Sequence, residues 1–292
     1  MTGLIIKAIG GLYTVEASDG IYECKARGIF RKMHISPMCG DNIEFSEEKD
    51  GSCVINKICE RRNQLIRPPL ANLDMLLFVS SVAEPSPNLL LIDKFIAICE
   101  YKKITPAVVI TKTDKGSSEE LYEIYNNAGI DVFTADNTTG EGSDLIRDHI
   151  SGKLCAFTGN TGVGKSSLLN NMFPDLGLST SEISKKLGRG KHTTRHVELF
   201  KMPSGGYIAD TPGFSTFETN KYDIIFKDAL AGCFREFDNY VSDCRFLDCS
   251  HTCEKGCAVI EAVNNGLISA SRHENYKAMY EEAKQLKEWE YK

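Results

Sequence analysis

The chain has 292 residues, and its 34 basic and 40 acidic side chains give a formal net charge of −6. The chain as a whole is therefore not a polycation. This length predicts roughly two or three domains. No apolar run of about 18 residues and no secretory apolar segment occurs, so we expect a cytoplasmic protein without membrane contact. Its 11 cysteines should then be mostly reduced.

Residues 1–66 predict an N-terminal β-barrel of the OB-fold type. Short β-rich runs, separated by Gly and Asp turns, recur at a spacing of about ten residues, which is typical of an all-β barrel. Five strands in so short a segment favour an OB-fold, a fold that often binds oligonucleotides. The five runs are Leu4–Ile6, Gly11–Val15, Ile21–Cys24, Asn42–Phe45 and Cys53–Ile55.

Basic and aromatic residues interleave in part of this barrel, as they would on a strand face that touches RNA. A merely solvated barrel edge explains the same pattern, and the sequence leaves both interpretations open. The residues are Lys25, Arg27, Arg31, Lys32 and His34, together with Tyr22 and Phe30.

Residues 67–219, which begin with an Arg67-Pro68-Pro69 linker, predict a domain with a mostly parallel sheet. Strand and helix patterns alternate here, which places helices on both faces of the sheet. The helix Ser117–Asn127 should begin with a capping box formed by Ser117 and Glu120. The predicted pairs are the strand Leu73–Val82 with the helix Asn88–Lys103, and the strand 106–110 with the helix Ser117–Asn127.

Residues 159–166 read Gly-Asn-Thr-Gly-Val-Gly-Lys-Ser, which matches the phosphate-binding loop G-x-x-x-x-G-K-[ST]. A strand at Lys153–Thr158 precedes it and a helix at Ser166–Met172 follows, so the helix N-terminus faces the bound anion. Lys165 is expected to reach the β- and γ-phosphates, and Ser166 to ligate Mg²⁺. The predicted phosphate-binding residues are Gly159, Asn160, Thr161, Gly162, Val163, Gly164, Lys165, Ser166 and Ser167.

A candidate guanine-binding motif lies upstream of this loop. Thr111-Lys112-Thr113-Asp114 resembles the N-K-x-D of GTPases, and the Asp114 carboxylate can accept hydrogen bonds from both guanine donors, N1–H and N2–H₂. Thr134-Ala135 resembles the S-A-x loop, whose backbone N–H meets guanine O6. A plain polar turn explains Thr111 to Asp114 equally well on its own.

Downstream, Asp210-Thr211-Pro212-Gly213 matches D-x-x-G, in which Asp210 would reach Mg²⁺ through water and the Gly213 N–H would sense the γ-phosphate. The order is therefore guanine motif, phosphate loop, magnesium motif. Ordinary GTPases run phosphate loop, magnesium motif, guanine motif. The sequence thus predicts a central, circularly permuted P-loop GTPase domain that binds GTP or GDP with Mg²⁺.

The segment 183–201 is strongly basic, with six cationic side chains against Glu198 alone. A loop that faces RNA or phosphate and a simply solvated loop are both consistent with this charge. The cations are Lys185, Lys186, Arg189, Lys191, Arg195 and Lys201.

Residues 220–292 predict a zinc-binding helical module. The spacing Cys244-x₄-Cys249-x-His251-x₅-Cys257 offers a Cys₃His set suited to one structural, tetrahedral Zn²⁺ per chain. Cys253 is the spare cysteine of this segment, and it could either substitute for one of these ligands or be a free thiol. Buried cysteines without a metal are the alternative. The remaining seven cysteines are expected in the core, and Ser271–Lys292 predicts an amphipathic helix that packs on this module or on a partner.

With these features placed, the chain resembles the ribosome small subunit-dependent GTPase A family along its whole length. The barrel, the permuted motifs and the cysteine module carry the resemblance, and Gly188–Arg195 resembles the family's switch I. The resemblance implies a late maturation factor that binds the 30S subunit near its decoding region and hydrolyses GTP there. Its barrel and zinc module would contact 16S rRNA. We expect it to act as a monomer.

The same resemblance assigns roles in hydrolysis. Thr193 or Thr194 of switch I would hold Mg²⁺ together with Ser166. Phe214 stands where many GTPases carry a water-orienting Gln, so His192 becomes the catalytic candidate beside Lys165. A histidine that faces RNA or solvent is the alternative for His192.

One residue departs from the family pattern: Thr111 replaces the usual Asn of the guanine motif. The contacts of that amide are expected to be lost, which would place more of the guanine preference on Asp114. Two other functions remain open at this stage. One is an RNA-binding assembly chaperone with a vestigial nucleotide pocket. The other, a small-molecule P-loop kinase, is disfavoured because kinases of that type do not read guanine.

Overall fold

The protein is described here by a computed structural model that covers residues 1–174, 197–210 and 224–287. In these parts, eleven strands form one continuous sheet in the order β10-β9-β8-β11-β13-β12-β1-β2-β3-β5-β4, and a separate two-stranded hairpin pairs β6 with β7. None of the described helices is long and apolar enough to cross a membrane.

Five strands close the predicted N-terminal barrel, because β4 pairs back onto β1. Alternate residues point inward, as the pleat requires, and Ile5, Val15, Cys24, Ile43 and Phe45 are buried in its centre. The prediction of a five-stranded barrel is confirmed. Its elements are β1 Thr2–Ile9, β2 Leu12–Ala17, β3 Gly20–Ala26, the short helix α1 Gly28–Lys32, β4 Asn42–Glu47 and β5 Cys53–Ile58.

The aromatic part of the predicted RNA face lies in or against the barrel core. Phe30 is only 7% exposed, and the ring of Tyr22 packs on Phe45 with a centroid distance of 5.1 Å. Tyr22 shares the inward face of β3 with Cys24, two residues on, because side chains alternate along a strand. Tyr22 therefore faces the barrel core and not the surface on which the cations of this set lie.

The basic residues of that face lie on the surface. Lys25, Arg27, Lys32 and His34 are exposed, whereas the side chain of Arg31 lies outside the described part. Arg27 already pairs with Glu48 at 2.9 Å on the barrel surface. The barrel therefore offers cations to a partner but no stacking aromatic from this set.

The central sheet is parallel over five strands and antiparallel at β12. Residues of one strand alternate between two apolar layers: Leu76 and Phe78 of β8 face one layer, and Leu77 and Val79 face the other. Such double burial is expected of a parallel sheet covered by helices. The strands are β8 Met75–Ser81, β9 Thr105–Thr111, β10 Asp131–Ala135, β11 Leu154–Thr158, β12 Val197–Lys201 and β13 Tyr207–Asp210.

Helices cover both faces of this sheet, as predicted. Ile92 and Phe95 of α2 pack into one layer, and Ile146 of α4 and Leu168 of α5 pack into the other. The four helices are α2 Leu89–Lys102, α3 Glu119–Asn127, α4 Ser143–Ile150 and α5 Lys165–Met172.

Helix α3 begins two residues later than predicted, and its capping box is absent. Ser118 is the N-cap residue and makes no side-chain cap bond. The hydroxyl of Ser117 instead accepts a hydrogen bond from the N–H of Glu119 at 3.2 Å. A capping box would need the Ser117 hydroxyl to bond the backbone N–H of Glu120, three residues on. The bond to Glu119, two residues on, takes its place.

The predicted linker at Arg67-Pro68-Pro69 is the turn of a small hairpin, formed by β6 Gln64–Leu65 and β7 Leu70–Ala71. Leu65 and Leu70 are fully buried, so the connection is packed against the protein. The boundary between residues 66 and 67 stays a prediction.

One strand joins the barrel to the central sheet. The second half of β1 pairs with β12, in the register Lys7 with Glu198 and Ala8 with Val197. Lys7 and Glu198 also form an ion pair at 2.9 Å, and the thiol of Cys39 donates to the carbonyl of Val197 at 3.1 Å.

Lys201 also belongs to this junction. It pairs with Glu16 of β2, and the Tyr207 hydroxyl donates to the same carboxylate at 2.9 Å. Lys201 is therefore engaged with the barrel, which corrects its assignment to the basic loop that precedes β12.

The described residues of the C-terminal part, 224–287, form short helical turns and three α-helices with a core of their own. Phe234 and Phe237 stack on each other in this core, and both meet the ring of Tyr276 edge-on. The core also takes in Ala97 and Ile98 of α2. The helices are α6 Lys227–Leu230, α7 Ala258–Asn264 and α8 Ala270–Lys284.

Helix α8 ends at Lys284, so the predicted helix over Ser271–Lys292 was too long. Residues 285–287 are not helical, and residues 288–292 lie outside the described part. The helix packs against both α2 and the cysteine segment, because its buried residues point to either side.

A buried cation fastens α8 to α2. Arg272 is 1% exposed, and its guanidinium contacts Asp93 at 2.7 Å and Glu236 at 2.6 and 2.9 Å. The guanidinium also lies 4.8 Å from the ring centroid of Phe234, and Asn275 donates to Asp93 at 2.6 Å. Every strong partner of this cation is therefore itself buried and paired.

Replacing Arg272 with alanine should lower the free energy of unfolding by about 3–5 kcal/mol, because two buried carboxylates lose the cation that pairs them. Urea denaturation followed by circular dichroism measures the loss. Lys277→Ala on the same helix is the control, since its pair with Glu274 is solvated. Equal midpoints for the two variants would contradict the assigned importance of Arg272.

Candidate nucleotide-binding site and metal cluster

The phosphate loop lies between β11, which ends at Thr158, and α5, which begins at Lys165. Two glycines permit its shape. Gly159 has φ 140°, and a Cβ there would lie 2.1 Å from the carbonyl oxygen of Val79; Gly164 has φ 95°. Only glycine adopts such angles without strain at this close approach. The sequence motif is therefore folded as its chemistry requires.

Lys165 folds back over the loop. Its ammonium donates to the carbonyls of Gly159 and Asn160, and burial lowers its pKa. Ser166 and Ser167 follow in the first turn of α5, where free N–H groups and the helix dipole favour an anion. The loop thus presents a cation, backbone donors and two hydroxyls at one point.

The guanine motif lies at the same edge of the sheet. β9 ends at Thr111, and its neighbour β10 carries Thr134 and Ala135 opposite Ile110 and Thr111. Parallel strands bring their carboxyl ends to one edge, and ligands of open α/β sheets bind there. The structure therefore brings the two parts of the predicted guanine site together.

Asp114 lies in a short helical turn, Thr113–Lys115, just beyond β9. Its carboxylate is exposed, and among the described residues no hydrogen-bond partner occupies it. Lys112, in the left-handed conformation at φ 59°, donates to the carbonyl of Glu84 in the loop after β8. Asp114 is thus free to bind a ligand, whereas Lys112 supports the loop.

Thr111 is completely buried and touches the phosphate loop. Its hydroxyl lies 2.8 Å from the carbonyl oxygen of Ser80 and also within bonding distance of the Val163 carbonyl. The expectation that the contacts of an asparagine at this position are simply lost is therefore incomplete. A shorter side chain still connects the guanine motif to the phosphate loop.

A second connection was missed by the sequence reasoning. The side-chain amide of Asn137, two residues after Ala135, donates to the carbonyl of Gly164 at 3.1 Å. No motif marks Asn137, and its partner is 27 residues away in the chain. Only its closeness to Thr134-Ala135 could have drawn attention to it.

The magnesium and hydrolysis residues are described only in part. The backbone of Asp210 ends β13, beside β11 and the start of the phosphate loop, but its side chain lies outside the described part. The same holds for all of Gly213, His192, Thr193 and Thr194. The cationic residues 185–195 also lie outside it.

The four predicted metal ligands converge. The ligand atoms of Cys244, Cys249, His251 and Cys257 all lie within 4.8 Å of one another, and they form a group that could hold a metal ion. The Nδ1 atom of His251 lies 3.5 Å from the sulfurs of Cys244 and Cys257, so this nitrogen faces the cluster. Cys253 is exposed and outside the group.

The electrostatics of the cluster fit a cation. Burial raises the pKa of Cys249 to about 12, and it also raises the pKa of Cys257. Deprotonated thiolates, the form that binds metal, are therefore unfavourable here unless a positive charge compensates them. A Cys₃His set with this spacing provides the ligands for such an ion.

Neighbouring side chains hold the cluster's loop in place. His273 of α8 donates from Nε2 to the carbonyl of His251 at 2.7 Å, and the Tyr276 hydroxyl donates to the carbonyl of Ser250 at 2.8 Å. Burial alone would raise the pKa of Glu254, but hydrogen bonds from Ser250 and Cys253 outweigh it and hold the pKa at about 2. The loop is thus braced from both sides.

These features define a class: a P-loop GTPase with permuted motifs, carrying an N-terminal barrel and a C-terminal cysteine–histidine cluster that could bind metal. The chain belongs to the RsgA GTPase family, whose model matches residues 58–220, while the model of the RsgA N-terminal domain matches residues 2–55. It is accordingly a GTP hydrolase, and the disfavoured kinase interpretation does not apply.

Relatives match the chain along its whole length. The small ribosomal subunit biogenesis GTPase RsgA of Geobacillus thermodenitrificans is 41% identical over 291 residues, covering 98% of both chains. RsgA 2 of Listeria innocua is 42% identical over 294 residues, covering 98% of this chain and 99% of its own.

Two solved structures share the fold. YjeQ from Thermotoga maritima superposes with a TM-score of 0.82 at 33% identity, covering 98% of this chain and 99% of its own. YloQ, described as a circularly permuted GTPase, superposes with a TM-score of 0.78 at 35% identity, covering 98% and 96%. The predicted permutation is confirmed by this likeness.

Metal analysis tests the cluster. The purified protein should contain one metal ion per chain, Cys249→Ala should lose it, and Cys253→Ser should retain it because Cys253 lies outside the group. Elemental analysis of all three proteins after dialysis gives the result. Equal metal content in the wild type and Cys249→Ala would contradict the ligand assignment.

Proposed function

We propose that this protein binds the 30S ribosomal subunit and acts late in its maturation, hydrolysing GTP when docked. The observation that carries the proposal is the full-length match to proteins named small ribosomal subunit biogenesis GTPase, through barrel, GTPase domain and cluster alike. An assembly chaperone with a vestigial pocket is disfavoured, since the phosphate loop keeps its glycines and its lysine over the carbonyls. The site of action is the cytoplasm, and the protein acts as a monomer.

The positions of the basic side chains indicate which parts of the protein would contact 16S rRNA. Lys25, Lys32 and His34 of the barrel are exposed and clustered in sequence, and phosphate contacts need only such cations. The basic residues between Lys185 and Arg195, which lie in the sequence between the phosphate loop and the magnesium motif, add a second group of cations. Binding should therefore weaken steeply as salt concentration rises.

Guanine nucleotide and Mg²⁺ are the ligands of the carboxyl edge. Residues Gly159 to Ser167 bind the phosphates, with Lys165 neutralising charge on the β- and γ-phosphates. Ser166, Asp210 and one threonine of switch I, Thr193 or Thr194, would hold Mg²⁺, which supplies further charge neutralisation when bound. Two positions fit this role. Ser166 lies in the first turn of α5, and Asp210 ends β13, which pairs with β11, the strand that leads into the phosphate loop.

Base recognition is assigned to the far end of the site. The exposed carboxylate of Asp114 accepts from guanine N1–H and N2–H₂, and the backbone N–H of Ala135 donates to O6. Thr113 and Thr134 flank the base. Lys112 holds the loop in place through its hydrogen bond to the carbonyl of Glu84. Adenine lacks the donor pair that Asp114 requires, so the site prefers guanine.

The metal of the cluster is proposed to be Zn²⁺ in a structural role. Three thiolates and one imidazole are the ligands that tetrahedral zinc prefers, and all four positions come from the protein, which leaves none for substrate. Bracing by His273, whose N–H binds the His251 carbonyl, is the kind of support that orients a zinc loop.

Asp114→Asn should weaken GDP binding by about tenfold or more and improve binding of xanthosine diphosphate, whose C2 carbonyl accepts from an amide. Isothermal titration with both nucleotides measures the switch. Asp144→Asn, which changes an exposed carboxylate on α4, should leave both affinities unchanged. An unchanged GDP affinity in Asp114→Asn would remove Asp114 from the site.

His192→Ala should reduce 30S-stimulated turnover by about 10²-fold or more, on the order of 2.7 kcal/mol, because no side chain would then orient the attacking water. Binding of GTP should stay nearly intact, and turnover without 30S should be slow in both proteins, roughly 10⁻⁴–10⁻² s⁻¹.

Single-turnover rates with saturating purified 30S subunits decide this matter, with His149→Ala as the control histidine. Full stimulation of His192→Ala would place the catalytic group elsewhere. A wild-type rate that does not respond to 30S subunits would contradict the proposed function as a whole.

A further inference from the structure

Two successive carbonyls of the phosphate loop are each held by a side chain from the guanine side of the site. Thr111 contacts the Val163 carbonyl, and Asn137 donates to the Gly164 carbonyl at 3.1 Å. Thr111 is the last residue of β9, and Asn137 lies two residues beyond the end of the neighbouring strand β10. They therefore form paired ties between the part of the site assigned to the base and the part assigned to the phosphates.

Asn137 itself is firmly placed. Its backbone carbonyl accepts a hydrogen bond from the amide of Asn171, on α5, at 3.0 Å. The preceding Asp136 closes the loop, since its carboxylate accepts from the N–H of Thr138 at 2.7 Å and from the hydroxyl of Thr139 at 3.0 Å. A side chain on so constrained a backbone holds its partner with little loss of entropy.

The approach of Asn137 to the phosphate loop is close. A Cβ on Gly164 would lie 2.5 Å from the Asn137 amide nitrogen and 3.7 Å from the Thr111 hydroxyl, so the glycine makes room for both ties. The amide orientation is fixed by chemistry, because its oxygen in that place would repel the Gly164 carbonyl. The Oδ1 atom is buried and has no hydrogen-bond partner among the described residues. In that part of the chain, the hydrogen bond to the Gly164 carbonyl is therefore the only one this side chain makes.

We propose that Asn137 is a positioning residue that fixes the spacing between the guanine subsite and the phosphate subsite and thereby sets how long a guanine nucleotide stays bound. It supplies the side-chain amide that Thr111 does not. The proposal rests on the proposed nucleotide-binding function. A guanine nucleotide occupies both subsites at once, so a fixed spacing lowers the cost of binding and slows dissociation.

Stopped-flow dissociation of a fluorescent N-methylanthraniloyl GDP tests this directly. Asn137→Ala should dissociate roughly 3- to 10-fold faster than the wild type, the effect of one lost hydrogen bond. Asn137→Asp keeps the shape but turns an oxygen toward the Gly164 carbonyl, so its effect should be at least as large. Asn127→Ala, an exposed asparagine on α3, should match the wild type.

A second ligand separates spacing from general support of the loop. Inorganic pyrophosphate occupies only the phosphate subsite, so its affinity, measured by competition with the fluorescent GDP, should be the same in the wild type and Asn137→Ala. The melting temperature without nucleotide should change little, because the substitution removes one hydrogen bond that is only partly buried.

Unchanged GDP dissociation in both Asn137 variants would overturn the proposal, as would an equal loss of GDP and pyrophosphate affinity, which shows mere support of the phosphate loop. Absence of GDP binding by the wild-type protein would overturn the proposed function with it. Normal wild-type binding beside unchanged variants would overturn the role of Asn137 alone.

Discussion

Strand β12 is hydrogen-bonded on both sides, and the arrangement of the barrel and the nucleotide site depends on it. On one side it pairs with β13, which ends at Asp210; on the other it pairs with β1 of the barrel. β1 has room for this because its first half closes the barrel onto β4 and its second half is left to pair with β12. The sheet thereby covers an edge of the barrel, and an edge that is paired cannot recruit another chain.

The nucleotide site is assembled by sheet order rather than by chain order. Strands β8, β9, β10 and β11 run parallel, so their carboxyl ends meet at one edge wherever they occur in the sequence. The phosphate loop follows β11 and the guanine motif follows β9, with a tie from Thr111 between them. A permuted chain keeps the same strands as neighbours in the sheet. The site can therefore form whether the phosphate loop comes before or after the guanine motif in the sequence.

The C-terminal part depends on two different kinds of contact. Buried Arg272 joins α8 to Asp93 of α2 through charge, where desolvation makes an unpaired partner costly. The cysteine–histidine cluster holds a loop that has little apolar surface to bury, and α8 braces it through His273. Helix α2 lies between β8 and β9 in the chain, so the cluster is connected to the strands that carry the nucleotide site.

What the sequence by itself determined are local patterns: the phosphate loop, the candidate guanine and magnesium motifs, the cysteine spacing and the strand periodicity of the barrel. What only the tertiary structure decided are contacts between distant residues. Asn137 and Thr111 reach carbonyls 27 and 52 residues away, and Lys201 reaches Glu16 across the junction. Tyr22 faced the core because the barrel closed around it. Such contacts depend on which strands pair, and strand pairing is a property of the whole folded chain rather than of any one segment.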